Sequence, residues 1–167
     1  MTHDQFWNLI EKVHLASGGD MEAKCELLDA ELRQLPLNEV QSFQAHFNDC
    51  EDRAYSWDLW AAAYIIGGGC GDDGFSDFRA TLISMGRETF ERALADPQSL
   101  ADMDYDAEEA QFEGFQYVPS TVESDLSGGQ HFPRSRPHPI EPSGSCWDED
   151  RVAERCPRLA EKYGYLD

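Results

Sequence analysis

Apolar positions recur at helical spacing through the first half of the chain. Phe6, Leu9, Ile10 and Val13 fall on one face of a first helix, opened by a capping box of Thr2 and Gln5 and ended by Ser17, Gly18 and Gly19. Trp7 lies beside that stripe, at the edge of the core. Asp20 is expected to cap a second helix, whose stripe of Met21, Cys25, Leu28, Leu32 and Leu35 assigns Cys25 to the core. Pro36 ends it, and Asn38, with Gln41 in the capping-box position, caps a third helix carrying Leu37, Val40, Phe43 and Phe47. The short connection between the second and third makes an αα-hairpin.

The pattern changes at Trp57. Leu59 to Ile66 is an uncharged run that suits a helix enclosed by others, so residues 56–66 are read as a buried central helix. Trp57, Trp60 and Tyr64 form a row on it, better suited to helix packing than to stacking bases, since no Lys or Arg accompanies them. Asp58 stands between the tryptophans, and burial there would demand a partner, with Arg53, Arg79 or Arg87 as candidates. A turn containing Gly67, Gly68, Gly69, Gly71 and Gly74 follows, with Asp72, Asp73 and Asp77 set in it. Phe75, Phe78, Leu82 and Ile83 continue the core on a fifth helix, and Arg87 to Ala95 make a sixth, stopped by Asp96 and Pro97. The run WDLWAAAYIIGGGCGDDGFSDFRATLISMGRETFERALADPQSL, with the opening FWNLIEK, resembles the bacterial DUF4240 family, a domain of unknown function, over roughly residues 1–125. That resemblance implies no activity, cofactor or catalytic residue.

Beyond Pro97 the periodicity fades. Tyr105, Phe112, Phe115 and Tyr117 interleave with Asp104, Asp106, Glu108, Glu109 and Glu113, a pattern of either a docked helix edge or an acidic-aromatic surface. Phe115 to Val118 is the one stretch with any support for a strand. Pro119 to Ser145 reads as a long irregular segment in which His131 and His138 are solvated, and Asp148 to Lys162 as a final helix that Pro157 kinks or restarts. The expected architecture is mainly α: a single-domain bundle of six or seven helices over residues 1–118, with a loop-rich extension over 119–167 that ends in a helix packed on the domain.

Charge narrows the range of functions. The net charge is −20, and residues 96–133 hold nine carboxylates with no Lys or Arg. Direct binding to a nucleic-acid backbone depends on Lys and Arg displacing counterions, so it is not expected. Five cysteines without a close pair point to reduced thiols rather than a disulfide framework or a metal site. The opening residues do not form a secretory signal, and the longest apolar run is too short for a membrane span, so a soluble cytoplasmic protein is expected. No cofactor or metal is implied, and the oligomeric state is not written in the sequence.

Two functions remain. The first is a non-enzymatic acidic protein, immunity-like or regulatory, that masks a basic protein partner, with Tyr105, Glu108, Glu109, Phe112 and Glu113 as its contact residues. The second is a small enzyme or divalent-metal module built on the turn at 67–77. Cys70 would then act as nucleophile with His46 or His14 as base, or Asp72, Asp73 and Asp77 would bind calcium or magnesium. The residues that would make that turn functional or structural are Asp58, Cys70, Asp72, Asp73, Asp77 and Arg79. The aspartates lack the spacing of a calcium loop and would repel a phosphate, so they are read first as caps or partners within the turn, and Arg79 as an ion-pair member.

Overall fold

The computed structural model describes residues 1–104, 106 and 108–165. Among these the fold is mainly helical and contains no strand. The helices are α1 (His3–Ser17), α2 (Met21–Leu32), α3 (Leu37–Arg53), α4 (Trp57–Gly67), α5 (Asp72–Ile83), α6 (Arg87–Ala95), α7 (Val118–Leu126), α8 (Val152–Arg155) and α9 (Pro157–Lys162). Short 3-10 helices occupy Pro97–Asp102, Phe115–Tyr117 and Glu149–Arg151.

Helix α4 lies at the centre, as its uncharged run predicts. Leu59, Ala61, Ala62, Ala63, Ile65 and Ile66 are all buried. Three successive alanines let α5, α8, α9 and the Pro97–Asp102 turn approach the α4 backbone on several sides. Trp57 and Trp60 stack in parallel at 5.3 Å, and Trp60 stacks in turn on Phe75 of α5 at 4.8 Å, so the aromatic row serves packing. On the other side α1 packs on α2 and α3, centred on Phe6 and Phe43 at 4.9 Å. Trp7 is fully in this core rather than at its edge, with its indole N–H donating to His3.

Several local expectations are corrected. Helix α3 begins at Leu37 after Pro36 and takes no side-chain cap from Asn38. Helix α5 begins at Asp72 after Gly71, also without a side-chain cap, so Asp72 and Asp73 are first-turn residues rather than caps. Phe115 to Tyr117 is a 3-10 turn. The stretch read as irregular contains α7, which starts with Pro119 in its first turn, where the missing N–H costs nothing, and packs on α2 and α3. The α2 stripe runs through Met21, Lys24, Leu28 and Leu32, leaving Cys25 half-buried. Cys156 interrupts the last helix, and Pro157 starts it anew.

The extension is tied back to the domain at several points. Trp57 N donates to the Ser143 carbonyl and Ser143 N to the Tyr55 carbonyl, both at 2.9 Å. The Trp147 indole donates to the Trp57 carbonyl at 2.8 Å. His138 is not solvated: its Nδ1 is bonded to Asp52 at 2.7 Å and its ring lies 4.7 Å from that of Tyr55.

Candidate functional site: an acidic face beside a buried lysine

Residues 108–114 have little regular structure, so their path is set by the side chains they insert between α4, α5 and their neighbours. Ala110 and Phe115 are fully buried, Phe115 against Phe47 of α3. Gln111 Nε2 donates to the Gly69 carbonyl at 3.0 Å, within the glycine turn. Gln116 accepts from Ser76 Oγ at 3.0 Å and donates to Asp77 Oδ1 at 2.5 Å. With these groups turned inward, Glu108, Glu109 and Glu113 face solvent. Phe112 is half-buried against the core, and Tyr105 lies outside the described residues.

The face extends onto α5. Burial raises the pKa of the Asp77 carboxyl against the pull of its bond to Gln116, and the charges of Glu113 and Asp73 push it the same way. Tyr117, which is exposed, feels Asp77, Glu113 and Asp73 as well. Asp73, Glu113 and Tyr117 therefore form one acidic neighbourhood with the Asp77 carboxylate at its base.

The glycine turn is filled from within the chain. A Cβ on Gly67 would lie 2.0 Å from Gln111 Nε2, and one on Gly74 2.3 Å from Gln111 Oε1. These two glycines make the slot that Gln111 occupies. Gly68, at φ 67°, and Gly69, at φ 130°, supply the left-handed backbone that ends α4. The Cys70 thiol is pushed up to about 12 by burial and by the charge of Asp77, away from the thiolate a nucleophile needs. Neither His14 nor His46 contacts it: His14 borders the Lys24 pocket and His46 bonds the Met1 carbonyl. Asp72 and Asp73 are exposed. Among the described residues no group of three His, Cys, Asp or Glu is arranged to hold a metal ion.

Two residues assigned to the turn lie apart from it. Asp58 is exposed at 59% and pairs with Arg155 of α8 at 2.8 Å, not with Arg53, Arg79 or Arg87. Arg79 is buried between the rings of Tyr55 and Phe75, at 4.8 and 5.1 Å, and donates to the Glu51 and Phe75 carbonyls. Beside it burial lifts the Glu51 carboxyl to about 7, with Arg79 and Arg134 opposing the rise. Arg134 and His138 both bond Asp52, which makes this cluster the seam that holds the extension to α3.

Beside Asp104, Asp106 and Glu109 lies a group the spacing concealed. Lys24 is 2% exposed, and its Nζ donates to Ser84 Oγ at 3.0 Å. Burial depresses its pKa to about 8, with Glu109 the largest opposing charge. A cavity of about 160 Å³ adjoins it, bordered by His14, Thr81 and Met85 and, from the acidic segment, Asp104, Asp106 and Glu109. The sequence did carry a signal: Met21, Lys24, Leu28 and Leu32 share one helical face. A larger cavity of about 640 Å³ lies elsewhere, between α3, α7 and residues 129–135, and holds none of the expected site residues.

A family model described as a protein of unknown function (DUF4240) matches residues 1–122. The chain belongs to the DUF4240 family. The match takes in α1 to α6, the glycine turn, the acidic segment and the first half of α7, and so the whole of this face. No curated protein and no solved structure matches this DUF4240 chain. Among its described residues no helix is long and apolar enough to cross a membrane.

Proposed function

We propose that this DUF4240 chain is a non-enzymatic binding protein whose acidic face docks and masks a basic protein partner, as an immunity-like or regulatory protein would. One observation carries the reading. Of the thirteen Lys and Arg, eleven are already in ion pairs with carboxylates of the same chain, and the other two, Lys24 and Arg79, are buried. The basic residues of the extension do not cover the face. Arg134 and Arg136 go to α3, Arg155 to Asp58, Arg151 to Glu154, and among the described residues of the extension only Arg158 and Lys162 reach the acidic segment, at Asp102 and Asp104. Glu108, Glu109 and Glu113, with Asp73 and Tyr117 beside Glu113, are left to attract a cationic surface over the Debye length and to anchor it at contact. All five cysteines are unpaired, which suits the reducing conditions of the cytoplasm, where we place the protein.

Affinity capture from the native cell tests this. Wild type should retain a basic protein at low salt and release it as salt rises. Glu108→Lys with Glu113→Lys should retain none while keeping the wild-type melting temperature. Retention of the same protein by that variant at every salt concentration would reject the proposal.

A further inference from the structure

The cavity beside Lys24 gathers polar groups that have nothing to bond. It lies between α1, α2, α5 and the residues Asp104, Asp106 and Glu109, and measures about 160 Å³. Lys24 and Thr81, 2% and 3% exposed, form its floor. Ser84 Oγ accepts from Lys24 and donates to the Thr81 carbonyl at 2.6 Å, so its one hydrogen is committed, while the ammonium has three hydrogens and this one acceptor. Thr81 Oγ1 and His14 Nδ1 are buried without any partner. Among the described residues no carboxylate stands within ion-pair distance of Lys24. Buried polar groups are bonded as a rule, yet at this one cavity two from different helices lack any partner and a third, the Lys24 ammonium, has a single acceptor. At the mouth the charge reverses, with Asp104, Asp106 and Glu109.

We propose that this pocket binds a small α-amino acid as its zwitterion, its carboxylate accepting from Lys24 Nζ and Thr81 Oγ1 and its ammonium facing Asp104, Asp106 and Glu109. A simple carboxylic acid would be repelled by the mouth and a simple amine by Lys24, so only a molecule carrying both charges suits both ends. His14 is held neutral by burial and by the nearby Lys24 charge, so its free Nδ1 offers an acceptor to the ammonium when the proton is on Nε2. Size sets the limit. A cavity of about 150 Å³ holds a ligand of about six non-hydrogen atoms, which corresponds to glycine, alanine or serine. The pocket shares Glu109 with the docking face, but Glu108 and Glu113, the residues changed to test that face, do not border it, so the two readings can fail separately.

Isothermal titration and thermal melting with glycine, L-alanine and L-serine decide it, with propionate and ethylamine as controls lacking one charge each. At least one of the three amino acids should bind saturably below about 10 mM and raise the melting temperature, and both controls should bind at least about tenfold more weakly. Lys24→Met should abolish the binding while the helical circular dichroism is kept. If that variant fails to fold, Thr81→Val serves in its place and should weaken binding about tenfold. The proposal fails if none of the three amino acids binds, if propionate or ethylamine binds equally well, or if binding survives unchanged in a folded variant.

Discussion

Lys24 occupies a position on α2 that the flanking Met21 and Leu28 turn inward, and its charge is carried into the core with one hydroxyl for company. Its folded pKa of about 8 lies below the 10.5 of a free lysine. Between those values the native state releases a proton that the unfolded chain keeps, so this group makes stability rise with pH, by up to about 1.4 kcal/mol per unit. His14, Glu109 and Asp20 surround it, and the thiols of Cys50, Cys70 and Cys156, raised to about 12, act in the opposite direction above about 9. The comparison to make is therefore wild type against Lys24→Met, by denaturant unfolding between pH 7 and pH 11. The variant should be at least as stable at pH 7, and the difference should shrink as pH rises through about 8. A constant difference would mean that the ammonium is not the cause. Asp58 tests the converse case. As an exposed partner of Arg155 it should cost no more than about 1 kcal/mol when changed to Asn, whereas a core ion pair would cost roughly 3. The sequence showed Asp58 between tryptophans but not which side of α4 the extension would cover. Lys24 was concealed because the apolar Cys25, next to it in sequence, also falls one helical turn from Met21.

At the scale of elements, the glycine turn shows how a motif rich in chemical suggestion can serve a single side chain. Gly67→Ala should cost about 1–3 kcal/mol in wild type, because the new methyl displaces Gln111 and breaks its bond to Gly69. In a Gln111→Ala background the same change should be close to neutral or stabilising. Equal effects in both backgrounds would show that Gln111 is not what the glycine accommodates. Asp72→Ala or Asp73→Ala removes only a favourable charge from the first turn of α5, an effect of about 0.3–1 kcal/mol. Calcium or magnesium should leave the melting temperature unchanged, and saturable stabilisation by either would restore the metal reading of the turn. The helices up to Ala95 were legible because each carries its own stripe and stop signals. Helix α7 was not, because its apolar side is short, with Pro119, Val122 and the aliphatic part of Glu123, and is completed only by α2 and α3. Proline there starts a helix, but by sequence alone it reads as one more breaker among several.

Over the whole molecule, the net charge of −20 is arranged so that the basic residues are spent internally. Arg134, Arg136 and Arg155 clamp the extension onto α3 and α4, and Val152, Cys156, Leu159 and Ala160 add buried apolar surface to α4 and its neighbours. Removing residues 134–167 should therefore lower the melting temperature markedly and expose Trp57 and Tyr64 to quenchers, without disturbing Glu108 and Glu113. Composition alone announced an acidic protein, and the segment without Lys or Arg located its centre. The contribution of Asp73, the use of Gln111 and Gln116 as pegs, and the destinations of Arg134, Arg136, Arg155 and Arg158 depend on contacts between residues far apart in the chain, and no local pattern encodes them. The central claim is that the free carboxylates recruit a basic partner. It is tested most directly by measuring the association rate of the captured partner against ionic strength, for wild type and for Glu108→Lys with Glu113→Lys. The wild-type rate should fall steeply as salt rises, and the variant should associate at least about tenfold more slowly at low salt with an unchanged melting temperature. Equal rates for the two proteins at every ionic strength would contradict the account.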